Sequence, residues 1–327
     1  MALGVKIASI GTLLPEAVLT NAELEKMVDT SDEWITSRTG IKERRIAPPG
    51  VGASYYALGA ARKALAKAEV KPEEVDLIIV ATVTPDYPMP ATACLVQAKL
   101  GAARAAAFDL NAACSGFIYA LSIGSQFIKS GVYGNVLIVG VDLLSRFLDW
   151  QDRSTCVLFG DGAGAVLLQP APEGEGVLAA FLGSDGNKAG CLQVEAGGSL
   201  KPASRETLAT GKQYLKMEGN EIFKYAVKEM EKSMLAVLAQ CNFTPGDISY
   251  LVPHQANYRI ITAIRKRLGL KENQIIVNIN RYGNMSAASI PVAMEEAARE
   301  GKFKKGDIIG LSAFGAGLTW GAAVLRW

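Results

Sequence analysis

Two stretches of this chain repeat one another in order, and an internal repeat of that size narrows the possible architectures more than any single motif. The first carries VDLIIVAT, then KLG at 99–101, AACSG around Cys114, VLIVG ending at Gly140, and FGDGAGAVLL from Phe159. The second carries GDISYLVPHQAN, then RLG at 267–269, YGNMSAAS around Asn284, DIIG ending at Gly310, and FGAGLTWGAAVL from Phe314. Cys114 stands 26 residues before Gly140 and Asn284 stands 26 before Gly310, so the spacing gives both one topological position, the turn where a strand hands over to a buried helix. Between that position and the FG motif the first half is 15 residues longer. The surplus marks an insertion at about 142–155, carrying Arg146, Trp150 and Arg153, that is expected to form a lobe beside the site. A length of 327 residues suits about two domains or one duplicated unit, and the expected halves are 1–175 and 176–327.

Short β-rich apolar runs alternate with longer segments of helical period, the signature of an α/β chain. Strands are expected at 77–80, 136–141, 165–168, 248–252 and 308–311. Helices are expected at 54–68, 115–130, 221–239 and 290–299, with Gly131 and Gly301 as stops. The Gly-, Ser- and Lys-rich stretch 183–211 reads as a long surface loop. Half of the residues are hydrophobic, which excludes disorder as the main state. A net charge of +2 supplies no field that would recruit nucleic acid. No apolar run reaches the roughly 18 residues that span a bilayer. Residues 1–20 lack the basic start, apolar run and cleavage site of an export signal, so no membrane association and a cytoplasmic location are expected. The five cysteines (Cys94, Cys114, Cys156, Cys191 and Cys241) include no CxxC pair, which argues against a disulfide framework and a zinc site and leaves buried thiols or a nucleophile.

Pairing two such α/β halves about a pseudo-twofold axis brings the carboxyl ends of equivalent strands together, where open α/β sheets bind ligands. Cys114 opens a helix in AACSGF, and the helix N-terminus is expected to lower its pKa and make the sulfur a nucleophile near neutrality. A lone Cys is more often a small buried hydrophobe, and the other four are read that way. His254, the single histidine, directly follows a strand in VPHQAN, at a carboxyl end of the second half. Asn284 by itself suits an N-cap or a left-handed turn, but the spacing sets it opposite Cys114. A thiol, an imidazole and a carboxamide are therefore expected to converge on one pocket. The order Cys, His, Asn also occurs in papain-like proteases, yet the local signature around Cys114 is absent. FGDGAGAVLL precedes a strand rather than opening a helix, so it reads as close backbone packing and not as a dinucleotide loop. Its second copy, FGAGL, offers a backbone N–H near Ala316 to an oxyanion.

AACSGF, VPHQAN, GNMSAAS, FGDGAGA, AFGAGLTWG and the early SDEWITSRTGI together resemble β-ketoacyl-acyl carrier protein synthase III, the initiating condensing enzyme of bacterial fatty acid synthesis, over nearly the whole chain. The resemblance implies a five-layered αβαβα thiolase-like fold, usually a homodimer. It implies an acyl-CoA primer and malonyl-acyl carrier protein as substrates, with no metal or redox cofactor. It makes Cys114 the acyl-accepting nucleophile and His254 with Asn284 the pair that stabilises the enolate left by decarboxylation. Backbone N–H groups of Cys114 and Ala316 would hold the acylation oxyanion, although the family commonly has Gly at Ala316 and Thr at Met285. Trp34 and Arg153 would sandwich the adenine of coenzyme A. Arg38 lies four residues after Trp34 on a helix read as opened by a capping box from Thr30 to Glu33, and Asn257 would contact the pantetheine arm. Family position puts Met89, Met217 and Phe314 in the acyl pocket, Met89 at a site that a partner subunit can supply. Lys224, Lys228 and Lys232 lie opposite an apolar stripe of Ile222, Phe223, Val227, Met230 and Met234. With Arg259, Arg265 and Lys266 these lysines would dock the acidic carrier protein. Rival readings are an acyltransferase or a quinolone- or polyketide-starting synthase of the same superfamily, a papain-like hydrolase, and a non-catalytic coenzyme A-binding dimer.

Overall fold

Strands buried on both faces read as unbroken apolar runs, and Leu77–Ala81 (β2) and Val136–Leu143 (β4) are buried at every residue. Alternate residues serve different layers. Leu77 and Ile79 pack into one core, Ile78 and Val80 into another. The computed structural model describes residues 3–327, so the first two residues of the expected 1–175 half, and of the 1–20 stretch read for an export signal, lie outside the described residues.

The remaining strands of the main sheet are Gly4–Leu13 (β1), Ala106–Leu110 (β3), Asp161–Ala171 (β5), Gly176–Ser184 (β6), Tyr250–Pro253 (β7), Ile308–Gly315 (β8) and Thr319–Arg326 (β9). Their order is β7-β8-β9-β6-β1-β5-β4-β2-β3. Among the described residues the two halves of this sheet join only where β1 meets β6, through the single pair Val5 and Gly176. Strands β2, β3 and β4 run parallel, as do β7 and β8, while β5 and β9 close each set antiparallel.

Helices Gly116–Lys129 (α4) and Ser289–Arg299 (α7) lie between the half-sheets and contact strands of both. Ala53–Ala68 (α2) and Thr92–Leu100 (α3) cover the outer face of the first half-sheet, and Gly219–Gln240 (α5) that of the second with Tyr258–Arg267 (α6) beside it. The result is the expected five-layered α/β arrangement. Asp32–Thr39 (α1) sits outside these layers, near α6.

Several expectations need correction. Residues 183–211 are not one loop: they include the end of β6, a 3-10 helix at Gly186–Cys191, the strand Leu192–Val194 and the helix Arg205–Ala209. Leu192–Val194 pairs with Leu215–Met217 in a small separate sheet. The insertion begins later than 142, because Asp142 is a fully buried member of β4. Arg146 donates to the Pro48 carbonyl and Trp150 packs into the lobe, so of the three residues singled out there only Arg153 reaches the cavity. Helix α1 is capped by Ser31, whose hydroxyl accepts from the Trp34 N–H; Thr30 opens no capping box.

Candidate active site

Cys114 stands in a tight elbow between β3 and α4. The Asn111 side chain accepts from the Ala113 N–H at 3.3 Å, Ala113 takes a left-handed φ of 47°, and a 3-10 turn at Ala113–Ser115 leads into the helix. The second half builds the same elbow before α7. The Asn284 side chain accepts from the Ser286 N–H at 2.9 Å, Ser286 has φ 47°, and the 3-10 turn is Ser286–Ala288. Matching the turns sets Asn284 against Asn111 and Cys114 against Ala287, three residues away from the register that the glycine spacing implied. Helix α7 is three residues shorter than α4, 11 against 14, and that difference produced the coincidence at Gly140 and Gly310. Asn284 is thus neither an N-cap nor the symmetry mate of Cys114.

The two elbows nonetheless face one cavity of about 720 Å³ that has Cys114, His254 and Asn284 in its wall. His254 follows β7, its backbone N–H bonded to the Ser312 carbonyl at 2.8 Å. Asn284 is pinned through its backbone to the Leu158 carbonyl and the Gly160 N–H. The β8–β9 hairpin clamps the Cys114 elbow: the Thr319 hydroxyl donates to the Ala112 carbonyl, and a Cβ on Gly315 would stand 2.6 Å from the Cys114 nitrogen. That close approach is the reason for glycine in this copy of the FG motif; in the first copy, read as close backbone packing, a Cβ on Gly160 would overlap the Tyr282 carbonyl oxygen.

Electrostatics reverse one expectation. Burial pushes the Cys114 thiol up to about 12; the Ser286 hydroxyl opposes this and the buried carboxyl of Asp142 adds to it. A helix N-terminus is worth at most about 2 kcal/mol, too little to offset that desolvation. The resting sulfur is therefore protonated. Burial also pushes His254 down to about 3, so its imidazole is neutral, with Nδ1 2.7 Å from the Ser289 hydroxyl. Burial raises Asp142 to about 6, against hydrogen bonds from Val83, Thr82 and Ala287 and the nearby Ser286 hydroxyl. Ser286 Oγ lies beside both Cys114 and Asp142 yet makes no well-aligned bond. Ser286, Ser289, Asp142 and Asn111 were not singled out from the sequence; the Asn-x-Ser and Asn-x-Ala turns were the signal that could have found two of them.

Trp34, which lines this cavity, has two guanidinium groups over its ring, Arg38 at 4.7 Å and Arg153 at 5.1 Å from the ring centroid. Arg153 is tied to Asp29 through its carbonyl at 2.9 Å and its carboxylate at 3.6 Å. Asn257 lines the cavity and caps α6, its side chain accepting from the Arg259 N–H. Met217 and Phe314 line this same cavity, together with Lys224, Arg259 and Phe223. Phe223 is not part of the buried stripe of α5 but half exposed at the mouth. Lys224 pairs with Glu221 and Lys228 with Glu229, Arg265 donates to the Leu270 carbonyl, and Lys266 is exposed on α6.

A second cavity of about 760 Å³ opens on the other side of Cys114. Asn111, Phe147, Phe159, Leu192, Leu215, Ser286 and Ala316 line it, and Cys114, Phe159 and Leu192 belong to both cavities. Ala316 has no positive φ, so its methyl is accommodated without strain. Met89 lines neither cavity and is 83% exposed. Among the described residues no three His, Cys, Asp or Glu side chains gather closely enough to hold a metal ion, and no helix is long and apolar enough to cross a membrane.

Family models described as 3-Oxoacyl-[acyl-carrier-protein (ACP)] synthase III match residues 108–186, and the C-terminal model of the same name matches residues 238–327. The beta-ketoacyl-[acyl-carrier-protein] synthase III of Symbiobacterium thermophilum is 57% identical over 323 residues, 99% of this chain and 98% of the relative. The crystal structure of 3-oxoacyl-[acyl-carrier-protein] synthase III from Aquifex aeolicus superposes with a TM-score of 0.92 at 50% identity, covering 99% of this chain and all of that one. The priming beta-ketosynthase of the R1128 polyketide biosynthetic pathway superposes with a TM-score of 0.93 at 33% identity, covering 99% and 96%.

Proposed function

The chain belongs to the β-ketoacyl-acyl carrier protein synthase III family, and from that premise we propose how its own residues divide the reaction. That reaction condenses an acyl-CoA primer with malonyl-acyl carrier protein, releases carbon dioxide and gives 3-ketoacyl-acyl carrier protein, which initiates fatty acid synthesis through an acyl-cysteine intermediate. The observation that carries the proposal is the meeting of a buried thiol, a neutral imidazole and an oriented carboxamide in one cavity wall.

Cys114 accepts the acyl group. Its sulfur bonds to the thioester carbon, the bond to the coenzyme A sulfur breaks, and the departing thiolate takes up the proton that the thiol gives up. Because burial favours the protonated thiol, that proton leaves as the attack proceeds and not beforehand. Backbone N–H groups of Cys114 and Ala316 hold the oxyanion. In the second half-reaction His254 and Asn284 donate to the malonyl thioester oxygen as carbon dioxide leaves. The carbanion then bonds to the acyl carbon, the bond from that carbon to the Cys114 sulfur breaks, and the released thiolate takes up a proton from solvent water. A neutral imidazole suits this role, since it donates one hydrogen bond without the cost of a buried charge. No metal or redox cofactor takes part, and coenzyme A enters as a substrate.

The Trp34, Arg38 and Arg153 cluster receives the adenine of coenzyme A, Arg153 withdrawing from Trp34 by the thickness of a ring, and Asn257 meets the pantetheine arm. Met217 and Phe314 then flank the thioester, while the cavity beyond Cys114 takes the acyl chain. Lys224, Lys228, Arg259, Arg265 and Lys266 form the carrier-protein docking face; Arg259 and Lys266 have no ion-pair partner among the described residues, which leaves them available. A homodimer is supported by β3, an edge strand whose outer hydrogen-bonding side is unpaired and which leads directly into the Cys114 elbow. Pairing there would carry Met89 and Tyr87, both exposed in the single chain, toward a partner subunit. The two halves 1–175 and 176–327 remain the functional units, and a cytoplasmic location follows from the two thioester substrates.

Radiolabelled acyl-CoA should label Cys114 once and stall, and malonyl-acyl carrier protein added next should release carbon dioxide and discharge the label. Continuous release of free acid would contradict the proposal. The similarity to a priming ketosynthase favours one second reading, polyketide starting, which competition among acetyl-, isobutyryl- and longer acyl-CoA primers separates from it.

A further inference from the structure

The neutral His254 ring can carry its proton on either nitrogen, and only one form presents an N–H to the cavity. The choice is made on the opposite edge of the ring. Ser289, the first residue of α7, is fully buried, and its hydroxyl lies 2.7 Å from His254 Nδ1. The same oxygen accepts the Gln255 N–H at 3.3 Å. Gln255 is itself locked: its side-chain oxygen accepts from the N–H groups of Asn278 and Ile279, and its amide donates to the carbonyls of Pro253 and Ile276. Among the described residues the Ser289 hydroxyl has no partners besides Nδ1 and the Gln255 N–H.

That count decides the tautomer. If Nδ1 bore the proton, Ser289 would accept twice and its own hydroxyl hydrogen would be buried without an acceptor, a cost that folded proteins avoid. If Nδ1 is bare, the hydroxyl donates to it and every group is satisfied. We propose that Ser289 is a positioning residue for the condensation: it holds His254 with Nδ1 as acceptor and the proton on Nε2, so that the ring meets the substrate as a hydrogen-bond donor. The Asn284 side chain is oriented in the same way, since its oxygen is occupied by the Ser286 N–H and its amide group is left to donate. Two serines at the start of one helical segment thus fix the polarity of both donors. A further consequence is that His254 has no lone pair to offer the Cys114 thiol, so it does not serve as the base for acylation.

This inference rests on the reading of His254 as an oxyanion donor, and the test separates the two. Because His254 is the single histidine, the intact protein grown with ¹⁵N-histidine gives an unambiguous two-nitrogen spectrum. The expected result at neutral pH is a pyrrole-type Nε2 and a hydrogen-bonded, pyridine-type Nδ1. Ser289→Ala should draw the two shifts toward each other and slow carbon dioxide release about three- to tenfold, the net value of one neutral hydrogen bond, with acyl labelling of Cys114 unchanged; Ser289→Thr should restore both. A protonated Nδ1 in the unsubstituted protein overturns the inference, and needs no variant to fold. Altered shifts with unchanged carbon dioxide release would remove the positioning role by removing the donor role of His254 itself.

Discussion

The elbows at Asn111–Cys114 and Asn284–Ala287 share a backbone and differ in what they carry. Each has an asparagine closing on the N–H two residues later, a left-handed residue at φ 47° and a 3-10 turn into a central helix. In the first half the third position after the asparagine is a thiol; in the second it is the methyl of Ala287. In the second half the asparagine itself borders the cavity with His254, whereas Asn111 borders the cavity beyond Cys114. One duplicated turn thus supplies a nucleophile from one copy and a hydrogen-bond donor from the other. Duplication gives the protein two rigid, matched mounts, and divergence at single positions gives them different chemistry.

The sharpest way to break this comparison is to disarm the first elbow alone. Cys114→Ser should abolish acyl labelling and condensation, a loss of several orders of magnitude, because a buried hydroxyl is a far weaker nucleophile than a thiol. Carbon dioxide release from malonyl-acyl carrier protein should persist. Condensation at a near-normal rate would end the assignment.

On the second side, His254→Ala should cost about 100-fold to 1000-fold in carbon dioxide release, the usual effect of losing one oxyanion donor. The same residue leaves a mark on stability. Its folded pKa of about 3 lies below the ordinary value of 6.5, so the folded state binds fewer protons between those limits and stability is lost as pH falls through them. The slope is about 1.4 kcal/mol per pH unit for one proton. Asp142, raised to about 6, works in the opposite sense between that pH and 3.8. The contribution of His254 is therefore read as the difference between His254→Ala and the unsubstituted protein in urea unfolding at pH 7, 5 and 4. A difference that does not change with pH would mean that the imidazole is not buried as described.

The smallest effect lies farthest from the elbows. Trp34→Ala or Arg153→Ala should raise the KM for acyl-CoA about tenfold, given that stacking a base on an aromatic ring is worth roughly 1–3 kcal/mol. The KM for malonyl-acyl carrier protein should move much less. Equal changes in both would detach this cluster from coenzyme A.

Much of this comparison was legible in the sequence. The duplication, the strand and helix runs and the place of Cys114 and His254 at strand ends follow from motif order and period, because buried parallel strands and amphipathic helices write those periods directly; Asn284 reaches the same cavity on a register other than the one the glycine spacing gives. The register between the elbows did not follow in this way, because the glycines used as anchors lie beyond helices of unequal length. Aligning NAACSGF with NMSAASI, residue against residue, would have found it. The thiol pKa was out of reach for another reason. A helix N-terminus is visible in a sequence, but the depth of burial that overrides it depends on Gly315, Thr319 and Asp142 arriving from distant strands. The second cavity was missed likewise, since its lining comes from segments between Val83 and Gly317 that share no motif.

The central claim is that the two elbows serve separate half-reactions, and Asn284→Ala tests it most directly, with Asn111→Ala as the control that removes the matching turn bond from the other copy. With radiolabelled acyl-CoA followed by malonyl-acyl carrier protein, Asn284→Ala should take up label at a rate within a few-fold of normal and release carbon dioxide about 100-fold to 1000-fold more slowly. Asn111→Ala should leave carbon dioxide release intact. An Asn284→Ala protein that decarboxylated normally but could not be acylated would contradict the division of labour and return Asn284 to the protease-like role of supporting the histidine.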